Sequence, residues 1–238
     1  MQFSTPNACG KMKSHFGSIA QVFAGGALGD GLDMPGRPKA NTYFPRELFR
    51  LDSRDRILDC GACDGDTIRQ AFENYPSGFE AVHAIKADSL SYARLENFKE
   101  TLERSIRETV HLHKCAIGAE RGFVRFESDG SVNARMSESG VLVELLPIDE
   151  MFANMPLTFI KMDIEGAEFD APQGARKVLV RDRPILAIRV YHTQNDIWRN
   201  PLLVREILPE HRLFLRAYEG DGFQTVLYAL PPERHLKG

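Results

Sequence analysis

The run Ile57-Leu58-Asp59-Cys60-Gly61-Ala62-Cys63-Asp64-Gly65-Asp66-Thr67 constrains this chain more than any other segment. Two apolar residues end a buried strand, glycines punctuate a turn, and Thr67-Ile68-Arg69-Gln70-Ala71-Phe72 opens a helix. Glycines in such a turn let the backbone approach a ligand closely, and the unpaired N–H groups of the following helix face it. The segment therefore reads as a cradle for a nucleotide-like cofactor, with Asp59, Gly61, Ala62, Cys63, Asp64, Gly65 and Thr67 as the expected contacts. Asp59, Asp64 and Asp66 make the turn acidic. Negative charge repels a pyrophosphate and attracts a cation. That favours S-adenosylmethionine (SAM), which carries a sulfonium and an amino group, over a dinucleotide.

Around this turn, short apolar runs alternate with amphipathic segments, the pattern of a parallel α/β sheet. Strands are expected at 56–60, 80–85, 110–116, 159–164 and 185–190, and helices at 66–74, 89–107, 167–180 and 201–208. Two further strands, 212–217 and 225–230, flank Glu219-Gly220-Asp221-Gly222 and predict a terminal antiparallel hairpin. Residues 123–126 and 141–145 predict a small β excursion. The plan is that of a Rossmann-like class I methyltransferase fold: α/β, with a mostly parallel seven-stranded sheet and a C-terminal antiparallel hairpin. Residues 1–42, Gly-rich and carrying Pro35 and Pro38, read as a mobile or partly helical lead-in to a domain spanning 43–238.

A chain of 238 residues with a net charge of -3 suits one large α/β domain and gives no electrostatic case for nucleic acid. No apolar run is long enough to span a bilayer, so no membrane partner is expected. Lys11 and Lys13 before Phe16–Leu28 loosely imitate a signal peptide, but glycines and Gln21 break the stretch. The four cysteines make no disulfide framework in a chain this long, and a reducing cytoplasmic location is expected. Cys60-Gly61-Ala62-Cys63 matches a redox C-x-x-C, but the neighbouring acids disfavour a thiolate. A zinc site would need a second such pair, and none is present. His111 and His113 share one face of a strand and read as partly exposed residues of it.

In sheets of this kind, ligands lie beyond the carboxyl ends of the strands, so the residues just after each strand matter most. After the second strand, where a carboxylate normally takes the ribose hydroxyls, stands Lys86, with Asp88 two residues on. Both are candidate cofactor contacts. In the fourth strand, Lys161 and Asp163 share a face, and a lysine there must be paired. Asp163 falls at the strand end, where it can face cofactor or substrate. Glu165 and Glu168 stand near the next helix start, a position where acids cap helices. Asp163 and Glu165 can also hold a divalent metal, but the ligand set is incomplete and no metal is expected. The fifth strand ends in Val190-Tyr191-His192, followed by Thr193 and Asp196. His192 titrates near neutrality and can take a proton from a hydroxyl, with Asp163 as the second candidate base.

Five stretches together resemble the FkbM family of SAM-dependent methyltransferases: Tyr43-Phe44-Pro45, residues 59–67, residues 159–168, Tyr191-His192 with Asp196, and Leu215-Arg216 with 225–229. The resemblance implies methyl transfer from SAM to a hydroxyl oxygen of a small-molecule or carbohydrate acceptor. The family usually carries Glu-Pro where this chain has Lys86-Ala87. The alternative is therefore a non-catalytic binding protein on the same fold, its SAM binding weakened by Lys86. A nicotinamide-dependent oxidoreductase is the reading that the acidic turn opposes. The acceptor's identity and the oligomeric state are not encoded in these motifs.

Overall fold

A computed structural model describes residues 32–37, 42–127, 135–136, 140–218 and 224–236. The first part of the chain forms β1 (Leu32–Arg37), β2 (Arg56–Cys60), α1 (Asp66–Asn74) and β3 (Ala81–Ile85). Next come α2 (Ser89–Thr101), α3 (Arg104–Arg107), β4 (Val110–His113), β5 (Ala116–Ile117) and β6 (Gly122–Glu127). The middle holds β7 (Arg135–Met136), β8 (Val141–Leu146), α4 (Ile148–Met151) and β9 (Phe159–Met162). The last third forms α5 (Asp170–Gln173), α6 (Arg176–Asp182), β10 (Ile185–Arg189), α7 (Asp196–Ile207), β11 (Arg212–Tyr218) and β12 (Gln224–Leu230).

The main sheet has the order β1-β11-β12-β10-β9-β2-β3-β4. Its centre is parallel: β2 pairs with β3 and β9, β3 with β4, and β9 with β10. Only β12 among these strands runs antiparallel to its neighbours, β10 and β11. The expected seven-stranded sheet with its C-terminal hairpin is present, and β1 adds an eighth strand in parallel with β11. Much of the lead-in and the turn at 219–223 lie outside the described residues. The stretch 32–37 is a strand because the edge of β11 offers unpaired backbone groups, and an edge tolerates Pro35. The β excursion is a separate sheet, β5-β8-β6-β7.

Successive strand residues enter opposite cores, as a period of two requires. Ile57, Phe159 and Ile185 pack with Ile68 and Ala71 of α1, Leu95 of α2, and Phe44 and Phe49. Leu58, Ile160 and Leu186 pack with Val178 and Leu179 of α6 and with Leu203 and Val204 of α7. A parallel sheet covered on both faces has strands that are apolar on both sides. Charges inside such strands therefore stand out. Among the described residues, no helix is long and apolar enough to cross a membrane.

Several expected elements are broken, each for a local reason. The helix expected at 167–180 starts at Asp170 and divides at Gly174, whose backbone packs so closely that a Cβ there would lie 2.1 Å from the carbonyl oxygen of Gly118. The helix expected at 89–107 divides at Leu102, which turns extended and packs against the second core. The strand expected at 110–116 leaves the main sheet after His113, and Ala116–Ile117 pairs with β8 instead. The helix expected from Pro201 starts earlier, at Asp196, with Pro201 inside it. The Asp196 carboxylate accepts from Thr193 N and Oγ1, both at 2.7 Å, and so fixes that start.

Candidate active site

The turn after β2 requires glycine at two places. Gly61 has φ +90°, and a Cβ there would lie 1.8 Å from the carbonyl oxygen of Asp163. Gly65 has φ +92°, and its Cβ would enter the Phe98 ring at 2.1 Å. The N–H groups of Gly61 and Ala62 both donate to the Ile85 carbonyl, at 3.0 and 3.1 Å, which ties the turn to the end of β3. An open cleft lies at the carboxyl ends of β2, β3 and β9. Of the expected cofactor contacts, Gly61, Lys86, Asp88 and Asp163 line it. Asp59, Ala62, Gly65 and Thr67 are buried in the turn around it, Cys63 is half-buried and Asp64 is exposed. Asp88 also caps α2, its Oδ2 accepting from Ser91 N at 2.7 Å. Cys60 and Cys63 are free thiols, and burial raises the pKa of both.

Beneath the cleft lies a buried charged pair. Strand register places Asp59 of β2 directly beside Lys161 of β9. Lys161 Nζ lies 2.8 Å from Asp59 Oδ1 and donates to the Gly61 carbonyl at 3.0 Å. Lys161 is 1% exposed. Burial works against its charge, but Asp59, Tyr43 and Asp163 more than offset this and keep the ammonium protonated. On the same face, Arg189 Nε donates to Tyr43 Oη at 2.7 Å, and Tyr43 Oη donates to Asp163 Oδ2 at 2.6 Å. Burial alone would lift the Asp163 pKa; Lys161, Arg189, the Tyr43 hydroxyl and His192 hold it below its ordinary value.

Behind Asp163 and Glu165, which line the cleft, His192 joins three carboxylates without lining it itself. Its Nδ1 lies 2.7 Å from Glu168 Oε1. A carboxylate only accepts, so Nδ1 carries the proton and Nε2 faces the other way. Nε2 lies 3.5 Å from Asp163 Oδ1 and 3.7 Å from Glu165 Oε2. Burial lowers the His192 pKa, but the Glu168 hydrogen bond and the charges of Glu168, Asp163 and Glu165 outweigh it, and the net shift is upward. Burial raises the Glu165 pKa; His192 opposes that rise, and Asp163 and Glu168 add to it. One atom from each of Asp163, Glu165 and His192 lies within 4.8 Å of the others, a spacing that a divalent cation can use. A proton on Nε2 balances the same two carboxylates.

Sequence reasoning brought Asp163 and His192 together and missed three of their partners. Glu168 is not a helix cap, because α5 begins later, at Asp170. Its carboxylate instead accepts from Ile164 N at 2.7 Å and Gly166 N at 2.8 Å. Arg189 had a readable signal, a charge on the Ile185 and Ala187 face of an apolar strand. Tyr43 stands in the Tyr43-Phe44-Pro45 stretch that carries the resemblance, but nothing local pointed to its bond with Asp163, 120 residues away. His111 is exposed and His113 half-buried, as expected, and buried His83 joins them. His83 Nδ1 lies 3.1 Å from His113 Nε2, and the His83 and His111 rings stack at 4.9 Å.

The sequence model of the FkbM methyltransferase domain matches residues 59–219. A crystal structure of methyltransferase FkbM from Methylobacillus flagellatus KT is similar, with a TM-score of 0.70 and 28% identity over 81% of this chain and 48% of that one. The chain thus spans about half the length of that relative. Precorrin-6y C5,15-methyltransferase from Geobacter metallireducens GS-15 is more distant, with a TM-score of 0.47 and 9% identity over 77% of this chain and 83% of that one. So is Aeropyrum pernix fibrillarin with natively bound S-adenosyl-L-methionine, with a TM-score of 0.43 and 11% identity over 80% of this chain and 76% of that one. No curated protein matches the sequence. The β2 turn, the loop after β9 and the end of β10 all fall inside the matched span, and the chain belongs to the FkbM methyltransferase family.

Proposed function

We propose that this protein transfers a methyl group from SAM to a hydroxyl oxygen of a small-molecule or carbohydrate acceptor. The donor set of the cleft fits SAM. Apolar Ile85, Ile117 and Phe126 suit an adenine, and Asp163 and Glu165 suit a sulfonium and an ammonium. Gly61, Lys86, Asp88 and Asp163 would touch the cofactor, and Asp59, Ala62, Cys63, Asp64, Gly65 and Thr67 would shape the turn that holds it. When bound, SAM supplies a methyl group already made electrophilic by its positive sulfur.

The chain's own residues then orient the acceptor, exclude water and remove its proton. His192 is the base. Its Nε2 faces Asp163 and Glu165, two residues that line the cleft, with a free lone pair once the ring is neutral, and its raised pKa makes that lone pair more basic. Asp163 is the weaker candidate because its partners hold its pKa down. It serves instead to steady the imidazolium that forms, 3.5 Å away. The observation that carries this reading is the His192 ring, fixed on one side by Glu168 and facing two carboxylates on the other.

The test is release of S-adenosylhomocysteine from SAM with a panel of sugars, phenols and aliphatic alcohols, with the product identified by mass spectrometry as a methyl ether. A second reading, a non-catalytic binding protein, rests on Lys86, which lines the cleft where the family's acid would stand. No turnover with any acceptor, together with SAM binding only at millimolar concentration, would favour it.

A further inference from the structure

We propose that Glu168 is a positioning residue for methyl transfer: it sets the tautomer and direction of the His192 ring and, with the same carboxylate, locks the loop that carries Asp163 and Glu165. The inference rests on the function proposed above and adds a residue to it.

The argument is one of acceptors and donors. Glu168 is fully buried, and an ionised carboxyl in such a place must have its lone pairs used. Three donors use them. Ile164 N and the His192 Nδ1–H both reach Oε1, at 2.7 Å each, and Gly166 N reaches Oε2 at 2.8 Å. No helix end takes part. The two N–H groups belong to the short connection between β9 and α5, in which Glu165 has φ +57° and Gly166 has φ +108°. A residue with a Cβ, here Glu165, stays in the left-handed region only where surrounding bonds hold it. Glu168 provides two of those bonds and spends its remaining capacity on His192, which comes from a different strand end.

The consequence for the ring is chemical. Without Glu168, a neutral imidazole would carry its proton on either nitrogen. With it, the proton stays on Nδ1 and Nε2 keeps its lone pair, toward Asp163 and Glu165. A base oriented in this way by a third group is the general logic of activated proton acceptors. In the step itself, the acceptor O–H bond breaks and its proton goes to Nε2; the oxygen lone pair forms the new bond to the methyl carbon as the bond from that carbon to sulfur breaks, its electron pair staying on the sulfur of the departing S-adenosylhomocysteine. The groups facing the ring are Asp163, Glu165 and Glu168 from the loop after β9 and Tyr191 from the end of β10, with Arg189 reaching it through Asp163. Tyr191 packs at 4.3 Å between ring centroids, and Tyr43 reaches the ring through Asp163.

The test compares Glu168→Ala with Glu168→Gln in the full chain. Glutamine keeps an oxygen that can accept from Nδ1, and alanine keeps nothing. Two readouts are used: kcat against SAM affinity, and the ¹⁵N shifts of the His192 ring at a pH that leaves it neutral. The expected result is a fall in kcat of about 10–100-fold for alanine and a smaller fall for glutamine. SAM affinity should fall by less than kcat does, because alanine also frees the loop that carries Asp163 and Glu165, and the Nδ1-protonated signature of the wild type should be lost in the alanine variant. The ring spectrum needs no turnover, so it reads the orientation even if the proposed reaction is absent. An unchanged tautomer in the alanine variant would overturn the inference. So would equal loss of kcat and SAM affinity in both variants, which would make Glu168 a loop brace alone.

Discussion

Two groups of buried charges lie on one face of the sheet, a residue or two apart, and they are built in opposite ways. Asp59 and Lys161 form a closed pair: one acid and one base, opposed by strand register and both almost fully buried. Above them, Asp163, Glu165 and Glu168 meet His192 and Arg189, with three acids among five groups drawn from two strand ends. The lower pair is balanced in charge and sealed from solvent. The upper cluster has an excess of negative charge and opens on the cleft through Asp163 and Glu165. Charges matched within the register support the fold, and charges left unmatched at the strand ends are available for chemistry.

Breaking the lower pair should cost most. Lys161→Met leaves the Asp59 carboxylate buried and alone, and should destabilise the protein by about 3–5 kcal/mol in denaturant unfolding. Adding Asp59→Leu should recover most of that loss, since an apolar pair of similar volume is often neutral. No recovery would mean that the pair has a role beyond mutual compensation.

In the upper cluster, His192→Ala should leave SAM affinity within about twofold and lower kcat by about 10²-fold or more. The pH profile follows from the sign of the shift. The base must be neutral, and its pKa is raised, so kcat should rise as pH climbs through a value above 6.5. Turnover retained by His192→Ala across the pH range would remove the base assignment.

Lys86→Glu gives a smaller effect. An acid at that position can accept from ribose hydroxyls, a gain of roughly 1.5–3 kcal/mol, so SAM should bind at least about tenfold more tightly in calorimetry. An unchanged affinity would show that the ribose is held elsewhere.

A pH-dependent effect lies at the β3–β4 edge, where a histidine has histidines rather than carboxylates for neighbours. Burial, then the charges of His113 and His111, lower the His83 pKa to about 4 from 6.5. Its folded pKa is below its unfolded one, so the stability it contributes is present above pH 6.5 and lost as pH falls toward 4. His192 has the opposite sign: its contribution is present below pH 6.5 and lost as pH rises through its raised folded value. A His83→Phe variant should show a shallower fall in Tm between pH 6.5 and 4 than the wild type. An identical slope would put the acid sensitivity elsewhere.

The sheet was legible because its evidence is periodic. Ile57-Leu58, Phe159-Ile160 and Ile185-Leu186 feed opposite cores, and a strand apolar on both sides announces burial on both. Lys161 was legible as a paired charge because an unpaired one could not lie in such a strand, but its partner emerged only from the register that sets Asp59 beside it. The helix breaks were not legible. Gly174 divides α5 from α6 because of its contact with Gly118, and the sequence holds no trace of a contact across so many residues. The site was half legible for the same reason. Asp163 and His192 could be placed by strand ends alone, whereas Tyr43 and Glu168 act through tertiary hydrogen bonds that no local spacing encodes.

The central claim is that this cleft holds SAM. Isothermal titration calorimetry of the full chain with SAM, using NAD as the control ligand, tests it most directly. The account predicts saturable SAM binding at micromolar concentration and no heat with NAD. A folded sample that binds no SAM at millimolar concentration, or that binds NAD instead, would contradict it.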